Sequence, residues 1–228
     1  MGGGTELVEV TERLSAVQAW ESAQLGKALI VDVRGQSQFA LGHPQGALSL
    51  PFSRKGLEER LGILLRYGTP VILVAEDPDQ AESALLQLQE GSFPVFGVVK
   101  DSINVWYENG LPMEILAEVS VHETARAAAD GNVVVLDVRE PIEWEMGHVP
   151  GALLISLGTL RERLRELSLE ASIVVICEAG VRSSSAASIL QAEGFDGVSH
   201  VPEGTGGYRR AGLNLEFSED NSTYGKIT

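Results

Sequence analysis

Short apolar runs alternate with amphipathic stretches along the whole chain. Four runs are rich enough in Val, Ile and Leu to form buried strands, at residues 28–31, 71–74, 133–136 and 173–176. Helical patterns occupy residues 14–23, 83–90, 121–129 and 183–190. Leucines also recur at helical spacing, at positions 57, 61, 64 and 65 and again at 157, 160, 164 and 167. This alternation predicts βα units and a mainly parallel sheet.

The pattern occurs twice. Asp32 and Asp137 belong to matching Asp-Val-Arg segments, and His43 and His148 lie in the Gly-His turns that follow. The two copies are 105 positions apart, from Asp32 to Asp137 and from His43 to His148. A repeat of 105 residues is too long for a solenoid, and it has the length of an ordinary domain. We therefore expect two tandem domains, residues 1–112 and 113–228, because Pro112 ends the last element of the first copy.

The chain has 228 residues and a net charge of −15, and both halves are acidic. Such a surface repels nucleic acid and anionic membranes. No apolar run approaches the roughly 18 residues of a membrane span, and the start lacks the segments of a signal peptide, so a cytoplasmic protein is expected. One cysteine excludes an internal disulfide, and four histidines without ligand spacing give no support to a metal site.

The single cysteine, Cys177, directly follows the apolar run at residues 173–176. A turn with Gly180 comes next, then the helical pattern at 183–190, whose serines could cap its start. Cys177 is therefore expected at a strand end that faces a helix N-terminus, where unpaired N–H groups favour an anion. Arg182 adds a positive charge, and both effects favour a thiolate. The alternative is a cysteine that is only a small buried hydrophobic residue.

The Cys-x4-Arg spacing from Cys177 to Arg182 resembles the active-site loop of the rhodanese family of sulfurtransferases. The resemblance extends over most of the chain. It includes Asp137-Val138-Arg139-Glu140, Gly147-His148-Val149-Pro150-Gly151-Ala152, Gly204, Tyr208 and Gly212. It implies an α/β fold of two tandem rhodanese-like domains, each a mainly parallel sheet flanked by helices.

The resemblance also implies roles for individual residues. Cys177 would be the catalytic nucleophile and would carry sulfur as a persulfide. The rest of the loop would bind the substrate sulfur: Glu178, Ala179, Gly180, Val181, Arg182 and Ser183. Asp137 and Arg139 would support the loop region. We expect His148 to be structural, because the same histidine recurs as His43 in the copy without a cysteine.

The matching loop of the first copy has lost these features. Ala75 replaces the cysteine, Pro78 the glycine and Gln80 the arginine. Proline also removes one N–H from any anion cradle. Residues 1–112 are therefore expected to form a degenerate rhodanese-like domain, and residues 113–228 the catalytic one.

The predicted activity is transfer of a sulfane sulfur from thiosulfate or a persulfide to a thiol or cyanide, with a protein cysteine as a further acceptor and without a cofactor. Glu178, next to the nucleophile, is expected to disfavour the thiosulfate dianion. Two alternatives stay open. One is a cysteine-dependent phosphatase or arsenate reductase of the same fold, whose loop has the longer Cys-x5-Arg spacing. The other is a non-catalytic binding module.

Overall fold

The computed structural model describes residues 11–88 and 91–217. The chain divides into two compact units, and the division lies between Leu116 and Ala117. Each unit is a parallel sheet with helices, so the predicted tandem α/β architecture is confirmed. The division lies four residues beyond the predicted seam after Pro112, since Met113–Glu114 pairs as a strand with the first unit.

In the first unit, strands and helices alternate as the sequence predicts. The strands are β1 (Glu12–Leu14), β2 (Leu29–Asp32), β3 (His43–Pro44), β4 (Leu48–Ser49), β5 (Val71–Val74), β6 (Val95–Val99) and β7 (Met113–Glu114). The helices are α1 (Ala16–Gln24), α2 (Gln36–Leu41), α3 (Leu57–Leu64), α4 (Pro78–Leu88) and α5 (Ile103–Glu108). The capping box of Ser15 and Gln18 explains where α1 begins, because it satisfies N–H groups that the helix leaves unpaired.

The second unit repeats this arrangement. Its strands are β8 (Ala117–Glu118), β9 (Val134–Asp137), β10 (Leu153–Leu154), β11 (Ile173–Ile176) and β12 (Val198–His200). Its helices are α6 (Val121–Ala129), α7 (Pro141–Glu145), α8 (Leu160–Arg163), α9 (Val181–Ala192) and α10 (Gly204–Arg210), with 3-10 turns at Leu157–Thr159 and Leu164–Glu166. Among the described residues, no helix is both long and apolar enough to cross a membrane.

The two sheets have the same strand order. It is β1-β6-β5-β2-β4 in the first unit and β8-β12-β11-β9-β10 in the second, with all neighbours parallel. All four residues of β11 are buried, as expected for a central parallel strand covered on both faces. The carboxyl ends of β9 and β11 lie side by side, because Ile176 is opposite Asp137. The loops that follow these strands therefore share one edge of the sheet.

The segment that closes each unit pairs with the Gly-His turn of that unit. His43 lies opposite Glu114 in the β3–β7 pair, and His148 lies opposite Glu216 in an isolated antiparallel bridge. In each case the glutamate carboxylate also accepts a glycine N–H of the turn, at 3.2 and 3.1 Å. Residues 113–116 therefore complete the fold of the first unit.

Helix α9 differs from its prediction at the start. It begins at Val181, two residues before the predicted position, and Gly180 is its N-cap without a side-chain hydrogen bond. The prediction that serines cap this helix was wrong. The Ser183 hydroxyl lies inside the first turn and donates back to the Gly180 carbonyl at 2.9 Å. Other predictions differ in extent. Helix α1 begins at Ala16, because Leu14 belongs to β1, and α4 begins at Pro78, five residues before the predicted position. The leucines at 157, 160 and 164 lie in three short helical segments. Residues 89–90 of the predicted helix at 83–90 lie outside the described residues.

Candidate active site

Cys177 lies directly after β11, at the carboxyl edge of the second sheet. It is buried, with 1% of its surface exposed. The Cys177 carbonyl accepts the Thr205 N–H at 2.8 Å, which ties this strand end to α10. The sulfur is therefore held at a fixed point where β11, the following loop and α10 meet.

The loop after Cys177 passes into α9 within a few residues. Gly180 has a φ of 85°, in the left-handed region that favours glycine. The N–H of Ser183, in the first turn of α9, donates to Cys177 Sγ at 3.3 Å. Within the described part of the chain, the backbone N–H groups of residues 179–182 have no protein acceptor. The loop therefore offers donors that can stabilise an anionic sulfur.

Helix α10 packs against the other side of this loop. A side chain at Gly204 would collide with the carbonyl oxygens of Cys177 and Glu178, so this close approach requires glycine. The Gly206 N–H donates to the Glu178 carbonyl at 3.1 Å. Tyr208 is buried in the hydrophobic core of the second unit and anchors the helix there. The segment around Gly204 and Tyr208 thus supports the loop.

Asp137 and Arg139 form a buried ion pair at the neighbouring strand end. Arg139 Nε and Nη2 donate to the Asp137 carboxylate at 3.0 and 2.7 Å, and Nη2 also donates to the Gly147 carbonyl at 3.0 Å. Asp32 and Arg34 make the same bonds in the first unit. Because the pair is also present without a cysteine, it serves the fold by joining the strand end to the Gly-His turn.

The histidines of the two Gly-His turns also have matching surroundings. His43 Nδ1 lies 2.8 Å from the Phe39 carbonyl, and the two rings stack at 3.7 Å. His148 Nδ1 lies 3.1 Å from the Trp144 carbonyl, and those rings stack at 3.4 Å. These contacts hold each turn against the preceding helix, in agreement with a structural role for both histidines.

Arg182 is paired with a carboxylate. Its Nη1 and Nη2 donate to the Glu143 oxygens at 2.6 and 2.7 Å. These bonds raise the pKa of Arg182 and lower the pKa of Glu143 to about 2. Interaction with Cys177 makes a smaller contribution to the raised pKa of Arg182, so the guanidinium lies within electrostatic reach of the sulfur. The sequence suggested an uncompensated cation here, whereas Glu143 offsets its charge.

Glu178 points toward α10. The Thr205 hydroxyl donates to Glu178 Oε2 at 2.7 Å, and Arg209 forms an ion pair with Oε1. Arg139 Nη1 lies 3.9 Å from Oε2. Two guanidinium groups therefore offset the charge of this carboxylate, which weakens the repulsion of an anionic donor that the sequence suggested.

The corresponding loop of the first unit is closed by its own side chains. Asp77 Oδ1 accepts the Gln80 N–H at 2.8 Å, and Gln80 Oε1 accepts the Glu76 N–H at 2.9 Å. Helix α4 begins at Pro78, which has no N–H. In the first unit, side chains therefore accept the backbone N–H groups of Glu76 and Gln80. In the second unit, no protein acceptor is found among the described residues for the N–H groups of residues 179–182.

Glu143, Thr205, Arg209 and His200 contact the loop and were not predicted from the sequence. Their partners lie 17 to 39 positions away, and chain patterns give no direct signal for such contacts. The sequence did contain a signal for His200: it is a polar residue at a strand position where the first copy has the apolar Val98. Among the described residues, no group of three or more His, Cys, Asp or Glu side chains could hold a metal ion.

A five-stranded parallel sheet with the same strand order occurs in both units, and in the second unit the cysteine loop lies at its carboxyl edge. These features define the class of protein. The chain belongs to the family with a rhodanese-like domain, whose family model matches residues 15–109 and 120–211. YrkF of Bacillus subtilis (strain 168), named as a candidate sulfur carrier protein, is 40% identical over 76 residues, which cover 33% of this chain and 41% of YrkF. The thiosulfate sulfurtransferase GlpE of Pseudoalteromonas translucida (strain TAC 125) is 29% identical over 86 residues, covering 38% of this chain and 82% of GlpE.

One similar solved structure is a thiosulfate sulfurtransferase from Pseudomonas aeruginosa. It shares 21% identity at a TM-score of 0.40, over 90% of this chain and 43% of that one. The aligned part of this chain spans less than half the length of YrkF and of this structure.

Proposed function

We propose that the protein is a sulfurtransferase that carries sulfur on Cys177, and that the first unit, with Ala75 at the matching position, takes no part in the chemistry. The family and the named activities of its relatives support this class of reaction. The observation that carries the proposal is the Ser183 N–H donating to Cys177 Sγ at 3.3 Å, at the start of a 12-residue helix. A reducing compartment such as the cytoplasm would keep this thiol available.

In the first half-reaction, the Cys177 thiolate attacks the outer sulfur of the donor. A bond forms between Sγ and that sulfur, and the donor's own bond to it breaks. The electron pair leaves with the remainder, as sulfite from thiosulfate or as a thiolate from a persulfide. Cys177 then holds a persulfide, which the loop N–H groups and the dipole of α9 stabilise.

In the second half-reaction, a thiolate or cyanide attacks the outer sulfur, and the Cys177 thiolate is released. No cofactor is needed for either step. We assign the contacts of the transferred sulfur to residues 178–183, of which Gly180 and Ser183 are buried while Ala179 and Val181 are exposed. Asp137 and Arg139 support this loop region, since Arg139 reaches toward Glu178.

Intact mass spectrometry of the full chain tests the proposal. The protein is treated in turn with thiosulfate, inorganic polysulfide and glutathione persulfide, then desalted and weighed. We expect a gain of one sulfur atom with at least one donor, and its loss as thiocyanate when cyanide is added. Cys177→Ser should gain no sulfur and keep its circular dichroism spectrum, because the hydroxyl is close in size to the thiol.

A matched variant places a thiol in the other copy. Ala75→Cys combined with Cys177→Ser should not regain activity, because Gln80 and Asp77 occupy the loop around position 75. Turnover by Cys177→Ser alone would refute the proposal. Hydrolysis of an aryl phosphate without sulfur uptake would favour a phosphatase, and a Cys177 that takes neither sulfur nor an alkylating reagent would favour a binding module.

A further inference from the structure

His200 is a buried polar residue next to the cysteine loop that the proposed chemistry leaves without a role. It ends β12 and is fully buried, with 0% of its surface exposed. Burial lowers its pKa to about 4, so the imidazole is neutral at neutral pH. A buried polar ring is costly unless its nitrogens find partners. The identity of those partners therefore indicates what the ring does.

One nitrogen of His200 faces the loop and the other faces the sheet edge. Nδ1 lies 3.4 Å from Ser183 Oγ. Nε2 lies 3.5 Å from Glu118 Oε1 on β8, and it has no hydrogen-bond partner among the described residues. Among the described residues, Glu118 is the charged group for which a contact with the ring is found. His200 thus lies between a partly exposed carboxylate and Ser183.

Ser183 connects this histidine to Cys177. Its hydroxyl donates to the Gly180 carbonyl at 2.9 Å, across the left-handed turn that starts α9. Its backbone N–H is the donor to Cys177 Sγ at 3.3 Å. A contact that fixes the Ser183 side chain therefore also fixes the N–H that holds the sulfur.

The first unit provides an internal comparison. In the second sheet His200 lies opposite Val175 and Glu118, and in the first sheet Val98 lies opposite Leu73 and Arg13. Val98 and Arg13 thus occupy the positions of His200 and Glu118. At the positions of Ser183 and Cys177 the first unit has Ala81 and Ala75.

All four members of the chain of contacts are therefore replaced together in the copy that lacks the cysteine. A valine completes the first sheet at this position, so the architecture itself does not require an imidazole there. The imidazole is therefore found in the unit that contains the cysteine, and a valine in the unit that lacks it.

We propose that His200 is a positioning residue for Cys177, acting through Ser183 to hold the first turn of α9 in the geometry that stabilises an anionic sulfur. Its role in turnover rests on the proposed sulfur transfer, whereas its effect on the sulfur does not. The Nδ1 contact restrains the Ser183 hydroxyl against Gly180. The Ser183 N–H then stays directed at Sγ in the thiolate and in the persulfide.

The test measures the rate of Cys177 alkylation by iodoacetamide against pH in the full chain, and persulfide formation from glutathione persulfide in a single turnover. His200→Val, which installs the residue of the first copy, should slow both by about three- to tenfold, the effect of one hydrogen bond. Its alkylation profile should move to higher pH. The thermal midpoint should stay the same or rise, because valine removes a buried polar ring. His200→Asn, whose amide can reach Ser183, should restore most of both rates.

A double-variant cycle tests the route through Ser183. Ser183→Ala should slow alkylation and persulfide formation by as much as His200→Val does. The double variant should be no slower than the slower of the two single variants. Ser185→Ala is the matched control, because Ser185 is buried in the same helix and its hydroxyl donates only to the Val181 carbonyl at 3.3 Å among the described residues. It should alkylate like the unmodified protein.

Three outcomes would overturn the proposal: multiplicative losses in the double variant, wild-type alkylation by His200→Val, or a rate loss that follows a fall in thermal midpoint and is not rescued by asparagine. Alkylation needs no sulfur donor. If no donor transfers sulfur but the alkylation pattern holds, the proposed function fails and the role of His200 stands. If persulfide forms and His200→Val behaves like the unmodified protein, the proposed function stands and the role of His200 fails.

Discussion

Glu143 holds Arg182 in a two-point ion pair, with Nη1–Oε2 and Nη2–Oε1 distances of 2.6 and 2.7 Å. Planar guanidinium and carboxylate groups match in this geometry, which makes it one of the stronger side-chain pairs. The loop cation is thereby oriented, and its field at the sulfur is reduced. The first unit has Gln38 and Gln80 at the equivalent positions, so this pair accompanies the cysteine.

The first prediction concerns the charge near the sulfur. Arg182→Ala should move the alkylation profile of Cys177 to higher pH, because it removes a cation and leaves the Glu143 carboxylate unpaired. Glu143→Gln should move the profile to lower pH, because Arg182 then acts uncompensated. Each shift should be about one pH unit or less, which corresponds to roughly 1.4 kcal/mol. If neither variant moves the profile, the start of α9 alone stabilises the thiolate.

A second prediction uses the lowered pKa of Glu143, about 2 against an ordinary 4.5. A carboxyl group whose pKa is lower in the folded protein stabilises the fold above its unfolded pKa, and this contribution is lost as the pH falls toward the folded value. Glu143→Gln should therefore cost about 1 kcal/mol or less at pH 6, since the pair is partly exposed. The difference should shrink as the pH falls below about 4.5. Urea unfolding of both proteins at several pH values measures it, and a difference that grows in acid would contradict it.

The third prediction compares the two buried aspartates. Asp137→Asn and Asp32→Asn should each destabilise their own unit by about 3–5 kcal/mol, because each leaves an arginine buried without its counter-charge. Hydrogen exchange detected by mass spectrometry can follow the peptides of each unit separately. Asp196→Asn, at an exposed position, is the control and should change little. A large cost for Asp137→Asn with little cost for Asp32→Asn would contradict a structural role that the two units share.

Much of the architecture could be predicted because it depends on local patterns. Apolar runs indicated the central strands, and the repeated Asp-Val-Arg and Gly-His segments indicated two copies of one domain. The order of the strands in each sheet was not predicted, because it depends on pairing between distant segments. The site was predicted less completely, because its charges are set by contacts between distant residues. Arg182 and Glu178 looked like opposed free charges in the sequence, yet each has an oppositely charged partner more than 30 positions away. The start of α9 was misplaced because the left-handed Gly180 allows the helix to begin before the serines.

The last prediction concerns the ion pair between Glu178 and Arg209, which we expect to determine how well the protein uses thiosulfate. Arg209→Gln should raise the KM for thiosulfate, because the Glu178 carboxylate at the loop then repels a dianion without its main counter-charge. Charges at this range near a surface interact by roughly 1–4 kcal/mol. Since both side chains are about two-fifths exposed, we expect the lower end, an increase of about tenfold or less.

Glu178→Gln should have the opposite effect and lower this KM, while the use of a glutathione persulfide changes less in both variants. Raising the ionic strength should shrink both effects, because salt screens exposed charges. Arg165→Gln is the matched control: it removes an exposed cation of the second unit for which no ion pair is found in the described part of the chain. If Arg165→Gln raises the KM as much as Arg209→Gln, the effect comes from overall charge. Only an increase in the KM for thiosulfate that is specific to Arg209→Gln would show that the ion pair with Glu178 controls the access of the anionic donor.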